Sequence, residues 1–155
     1  KAKRDEIADR VNQLTDKTRD LEKQLERLQQ KLASSQAKDL INNVQDIKGQ
    51  KVLIASLQGM DGKALRTIAD DMKSKLHDGI VVLAGVADDK IALTASVGKD
   101  LTSKIKAGDI IKHLSEQLGG KGGGKPDFAQ GGATDVAGLP GVLAALPNWL
   151  AERLA

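Results

Sequence analysis

The stretch "KVLIASLQGMDGKALRTIADDMKSKLHDGIVVLAGVADDKIALTASV", Lys51–Val97, decides the class of fold. It opens with "KVLIASLQ", a short apolar run rich in β-branched residues, which reads as a buried strand. "GMDG" turns the chain. "KALRTIADDMKSKL" then places Leu65, Ile68, Ala69, Met72 and Leu76 on one helical face. "GIVVLAGVA" is a second buried strand and "IALTASV" a third. Only "DDK" separates these two, so they form an antiparallel hairpin.

Downstream, "AGDIIKHLSEQL" is an amphipathic helix with Ile110, Ile111, Leu114 and Leu118 inward. Asp109, or Gly108 before it, is the expected cap, and Gly119 ends the helix. Strand, helix, strand, strand, helix in that order predicts an α/β sandwich with a mixed sheet. The tail, "VAGLPGVLAALPNWLAERLA", reads as helical with Pro140 in the first turn. Pro147 is expected to kink that helix or start a second short one. Trp149, beside Leu146 and Leu150, reads as a core or docking residue.

Upstream, Ile7, Val11, Leu14, Thr18, Leu21, Leu25, Leu28 and Leu32 alternate spacings of four and three. That is a coiled-coil seam with one polar defect at Thr18. Like charges stack at Asp16 with Asp20 and at Lys23 with Arg27, so this helix depends on its seam more than on surface pairs. A lone helix cannot bury such a stripe. Its partner is left open between a second copy, an upstream helix and the globular part folding back. After Leu32 the pattern restarts out of phase at Leu40, Val44 and Ile47, with Ser34 and Ser35 as break points and Gly49 as a helix end. The overall class is α+β. A helical segment spans 1–48 and a globular α/β domain 49–155.

Between the last two helical stretches lies "GGKGGGKPDFAQGG", Gly119–Gly132, which holds seven of the sixteen glycines in the chain. A run with this composition is either a slack linker to the last helix or a loop shaped to hold a ligand. Pro126, Asp127, Phe128, Ala129 and Gln130 interrupt the slack with specific residues. Glycines let backbone N–H groups approach a phosphate or sugar edge without a Cβ in the way. The run is not a Walker loop, because the spacing and the Ser/Thr after lysine are missing. It follows a helix, so it is not a dinucleotide fingerprint either.

Composition narrows the chemistry. The 155 residues suffice for one ordinary domain plus an extra element. Cysteine is absent, which removes disulfides and thiolate metal sites. His77 and His113 are far apart, so a metal site is not expected. No apolar run is long enough to span a membrane, and the charged start "KAKRDEIADR" is not a signal peptide. The first residue is not methionine, which suggests a fragment. Formal net charge is +3, too mild to identify a partner by itself. Its distribution says more: Lys99 to Lys125 holds six lysines against Asp100, Asp109 and Glu116. With Phe128 and Trp149 as the only Phe, Trp or Tyr residues, a base-stacking platform for single strands is not expected. Catalysis is also poorly supported. His77 sits at a helix end, Asp70–Asp71 on a polar helix side and Asp88–Asp89 in a turn, all readily explained as solvated surface.

"AGDIIKHLSEQLGGKGGGKPDFAQGGATD", with "LTASVGKDLTSKIKAGD" before it and the heptad segment leading in, resembles the C-terminal domain of bacterial alanyl-tRNA synthetases. The resemblance covers essentially the whole chain. It implies a globular module like the second domain of DHH-type phosphoesterases, here without the DHH catalytic motif. It implies a non-catalytic part of a cytoplasmic enzyme, an alanine-tRNA ligase whose catalytic and editing domains lie upstream. That enzyme would use ATP and Mg²⁺ and carry zinc in its editing domain; this chain would hold no cofactor. The domain would bind the outer corner of alanine-specific tRNA, help aminoacylation and editing share one tRNA, and in some lineages dimerise through helical parts. Gly119, Gly120, Gly122, Gly123, Gly124, Lys125, Pro126, Ala129, Gln130 and Gly131 match the motif. The expected RNA contacts are these glycines and Gln130, with Lys121, Lys125, Lys99, Lys104 and Lys106 neutralising phosphate. The expected helix seam is Ile7, Val11, Leu14, Leu21, Leu25, Leu28 and Leu32. Two alternatives are an oligomerisation module alone and a nucleotide- or nucleic-acid-binding accessory domain of a DHH-type phosphoesterase.

Overall fold

Helix α1, Ala2–Leu40, begins the computed structural model, which describes residues 2–155. The chain divides into two compact units, one running through Leu32 and the other Ala33–Ala155. In the first unit the predicted seam lies on an unbroken helix. Ile7, Val11, Leu14, Leu21, Leu25, Leu28 and Leu32 are each 47–64% exposed, so the stripe is uncovered in the single chain. The polar defect Thr18 turns its hydroxyl to its own helix, donating to the Leu14 carbonyl at 2.8 Å.

The expected break at Ser34–Ser35 does not occur. The helix continues, and its register slip marks a change of surroundings: Ala33, Ala37 and Leu40 are buried in a cluster with Leu53, Leu57 and Met60. Helical spacing puts these three on one face, and the small alanines permit close approach. The helical reading of Val44 and Ile47 is also corrected. A 3-10 turn, Ile41–Asn43, leads into strand β1, Val44–Ile47, which pairs antiparallel with β2, Gln50–Gln58. Gly49 therefore ends no helix. Lys48 and Gly49, with φ of 54° and 81°, form a two-residue hairpin turn with both residues left-handed. The division drawn from sequence at residue 48 falls within this turn.

The central elements match the expectation. Helix α2, Gly62–Lys75, crosses from β2 to the parallel strand β3, Ile80–Ala87. Asp61 caps it, its side chain accepting from the Ala64 N–H at 2.8 Å. Asp88 and Asp89, at φ of 51° and 57°, turn the chain into the antiparallel strand β4, Lys90–Val97. A 3-10 turn at Lys99–Leu101 precedes helix α3, Ala107–Gln117. Lys106 is its N-cap and makes no side-chain capping bond, so neither Gly108 nor Asp109 plays the predicted capping part.

Two more strands follow where a loop was expected. β5, Lys121–Gly124, pairs antiparallel with β6, Phe128–Ala133, and β6 pairs antiparallel with β4. The sheet order is β1-β2-β3-β4-β6-β5, mixed as predicted. Helix α4, Leu139–Leu154, closes the chain. It runs through Pro147 as one element, so of the two outcomes expected there the second short helix does not form, and Pro140 lies in its first turn as anticipated. Leu146, Leu150 and Leu154 hold α4 in the core on both sides of the proline.

The strands alternate their side chains between two cores. Val52, Val82, Leu93 and Ala95 face Ile110, Ile111 and Leu114 of α3 and Leu146 and Leu150 of α4. Leu53, Val81 and Leu83 face Leu65, Ile68 and Met72 of α2. The sheet is thus the middle of three layers, and β5 forms one of its edges.

Candidate nucleic-acid interface

The glycine run is held at both ends. Gly119, at φ 71°, ends α3 as predicted, and the Gly120 N–H donates back to the Ser115 carbonyl at 2.7 Å. At the far end of β5 the Lys125 N–H donates to the Phe128 carbonyl at 2.9 Å and closes the turn. That turn is tied down in its own right. The Val97 N–H donates to the Asp127 carbonyl at 2.9 Å, and the Ala107 N–H to the Pro126 carbonyl at 2.8 Å. Gly119–Gly132 is therefore a fixed hairpin, and the linker alternative is corrected.

The pleat gives this hairpin two different faces. On the α3 side a Cβ on Gly122 would lie 2.5 Å from Ile111 Cγ2, and one on Gly131 would lie 2.8 Å from the same atom. A Cβ on Gly124 would lie 2.6 Å from the Ala129 Cα. Gly122 and Gly131 are required by the close packing of helix on ribbon and Gly124 by the close pairing of the ribbon's own strands, which is a structural duty. On the other face Gly123 has nothing within 4 Å of where a Cβ would sit. Gln130 is its cross-strand partner and Lys121 pairs with Gly132, so all four share the α2 side.

There the first turn of α2 meets the sheet. Gln130 Nε2 donates to the Gly62 carbonyl at 3.0 Å and to the buried Thr94 hydroxyl at 3.4 Å. The Arg66 guanidinium lies 5.1 Å from the centroid of the Phe128 ring. Gly62, Lys63, Arg66, Leu93, Gln130 and Gly131 line an open hollow of about 460 Å³. It combines half-buried glycine backbone, a fixed amide and cationic side chains, a set suited to a phosphate–sugar surface.

The fold does not bring the predicted cations to one point. Lys121 starts β5 beside the hollow, whereas Lys125 lies in the turn at the other end of the strand, about 13 Å along it at roughly 3.3 Å per residue. Lys106 stands at the start of α3, next to that turn. Lys99 and Lys104 are exposed in the connection from β4 to α3. Lys63 and Arg66 were missed by the sequence reading. Their only signal is a pair of cations one turn apart at the start of a helix, and both lie more than fifty residues from the glycines.

A second polar cluster lies between α3 and α4. His113 stacks on Trp149 with centroids 4.4 Å apart and an interplanar angle of 18°, and Arg153 covers the indole at 3.8 Å. Gln117 Nε2 is 3.1 Å from His113 Nε2. Burial, then the Arg153 charge, lowers the imidazole pKa below its ordinary 6.5, and Glu116 opposes this. Trp149 thus acts as a docking residue of α4. Among the described residues no three His, Cys, Asp or Glu side chains gather as a metal-binding group. Nor is any described helix long and apolar enough to cross a membrane.

Residues 49–152 match the model of the DHHA1 domain. The chain belongs to the DHHA1 domain family. Within it, the chain is similar to bacterial alanine–tRNA ligases: 60% identical over 154 residues to that of Psychrobacter sp. (strain PRwf-1), and 58% to that of Psychrobacter cryohalolentis. These alignments cover 99% of this chain and 17% of each relative's length. The C-Ala domain of Aquifex aeolicus alanyl-tRNA synthetase superposes with a TM-score of 0.65 at 25% identity, over 70% of this chain and 97% of that one. The DHH domain of a protein assigned to a family of ribosomal proteins shares the fold, with a TM-score of 0.52 at 16% identity, over 83% of this chain and 31% of that one. The resemblance read from the glycine motif thus holds, as does the α+β class with its long N-terminal helix and mixed sheet.

Proposed function

We propose that this chain is a non-catalytic tRNA-binding part of an alanine-tRNA ligase, placed on the outer corner of the tRNA so that aminoacylation and editing share one substrate. ATP, Mg²⁺ and zinc would then belong to the rest of that cytoplasmic enzyme. One observation carries the reading: the β5–β6 hairpin leaves one glycine face open, with Lys121 on it and Lys125 in its turn. A folded RNA corner is read by shape and backbone, which suits a rigid ribbon better than an aromatic platform. The test is a binding titration of the chain against alanine-specific tRNA over a salt series. Lys121→Ala with Lys125→Ala should weaken binding and flatten log K against log salt by roughly one unit for each phosphate no longer neutralised. Unchanged affinity and slope would overturn the reading.

A second reading concerns the uncovered seam. Seven apolar residues at heptad spacing on one helix favour pairing with a second copy of the chain. It uses a different part of the sequence from the RNA site, so both can hold together.

A further inference from the structure

We infer that RNA docks on the α2 side of the β5–β6 hairpin, with the Arg66 guanidinium as its flat stacking contact and Gly123 as the point of closest approach. This rests on the tRNA reading above and fixes which face and which residues serve it.

The pleat removes the other face. Gly122, Gly124 and Gly131 turn their missing side chains towards neighbours already within 2.5–2.9 Å of an added Cβ, with Ile111 of α3 against two of them. A ligand has no room there. Gly123 is exposed and faces open space. The two rims of this open face are cationic, with Lys121 on the strand and Lys63 and Arg66 on α2. No acidic residue is among those lining the hollow, so the charge complements a polyanion.

Arg66 differs in kind from the lysines. Its guanidinium rests over the Phe128 ring, yet the residue is exposed. A planar cation seated on a ring presents a second plane to solvent, the geometry with which arginine stacks on an unpaired or terminal base. A chain this poor in aromatics can obtain a stacking surface by this route. Gln130 completes the site. Its amide nitrogen is committed to Gly62 and Thr94, and its Oε1 accepts no hydrogen bond among the described residues. That oxygen is held in place as an acceptor for a base N–H or a ribose hydroxyl.

Three variants of the whole chain, titrated with an alanine-specific tRNA transcript, test this. Arg66→Lys keeps the charge and removes the plane. Affinity should fall roughly five-fold or more with the salt slope unchanged. Gly123→Val adds a β-branched side chain suited to a strand on the open face only. The thermal midpoint should hold while affinity falls about ten-fold or more. Lys112→Ala, exposed on α3, should bind as the unmodified chain does. If the unmodified chain binds but Arg66→Lys or Gly123→Val binds equally well, the assignment of this face is overturned and the tRNA reading stands. The face assignment is likewise overturned if Lys112→Ala weakens binding as much as they do. If the unmodified chain does not bind tRNA, the tRNA reading itself falls and takes the face assignment with it.

Discussion

The side-chain amide of Gln130 donates to the backbone carbonyl of Gly62 at 3.0 Å, joining residues 68 apart in sequence. This bond fixes β6 to the first turn of α2 and so sets the width of the hollow. Gln130→Ala should cost about 1 kcal/mol of stability, the usual worth of one such bond, and leave the two faces free to shift. Urea unfolding followed by circular dichroism would read it. A variant as stable as the parent would show that the bond does not join the layers energetically.

Gly122→Ala should be far more damaging than its exposure suggests. The new methyl would sit 2.5 Å from Ile111 Cγ2 and 2.6 Å from the Gly131 Cα. Overpacking of this kind costs roughly 1–3 kcal/mol, and backbone on one side leaves little room to relax. Ile111→Ala removes Cγ2 and so one of the two clashes, and the double variant should therefore lose less than the sum of the two single losses. Additive losses in a thermal melt would place the strain elsewhere.

The seam of α1 predicts self-association. Leu21 and Leu25 are 55% and 57% exposed in the single chain. Sedimentation equilibrium should show mass rising with concentration, and Leu21→Ser with Leu25→Ser should abolish the rise. A monomer at every concentration with α1 still helical would sink the pairing.

His113 predicts a pH dependence with a defined sign. Its folded pKa lies below 6.5, so the unfolded chain takes up the proton first as pH falls. The stability it contributes is present above about pH 6.5 and lost as pH drops through the folded value. His113→Phe keeps a ring against Trp149 and cannot titrate. Between about pH 5 and 7 its melting temperature should therefore fall less steeply than the parent's. Parallel curves would count against this account.

The sequence displayed what periodicity encodes. The Leu65–Met72 face, the Asp88–Asp89 hairpin and the Ile110–Leu118 face all appear as read. It concealed whatever lacks side chains to show a period. β5 is Lys-Gly-Gly-Gly, and no alternation can be read from glycines. Val44–Ile47 failed for a different reason: four residues only one 3-10 turn beyond a long helix inherit its pattern, and only the hairpin turn at Lys48–Gly49 marks the change. No second helix starts at Pro147 because propensity is local, whereas Leu146 and Leu150 anchor the helix on either side through burial. At the candidate site, the glycine motif marked the segment that forms the β5–β6 hairpin. The contribution of α2 was invisible, because Lys63 and Arg66 meet Gln130 only through the parallel crossover.

The two outer strands of the sheet, β1 and β5, are each only four residues long. An unpaired strand is a template on which another chain can add itself, the first step towards aggregation. In β5 the hazard is acute, since glycine offers no bulk to keep an intruder away. Lys121 opens the strand and Lys125 follows its last residue, so a second copy approaching in register would bring like charges together. The same two lysines read as RNA contacts would therefore also keep the bare edge soluble when no RNA is present.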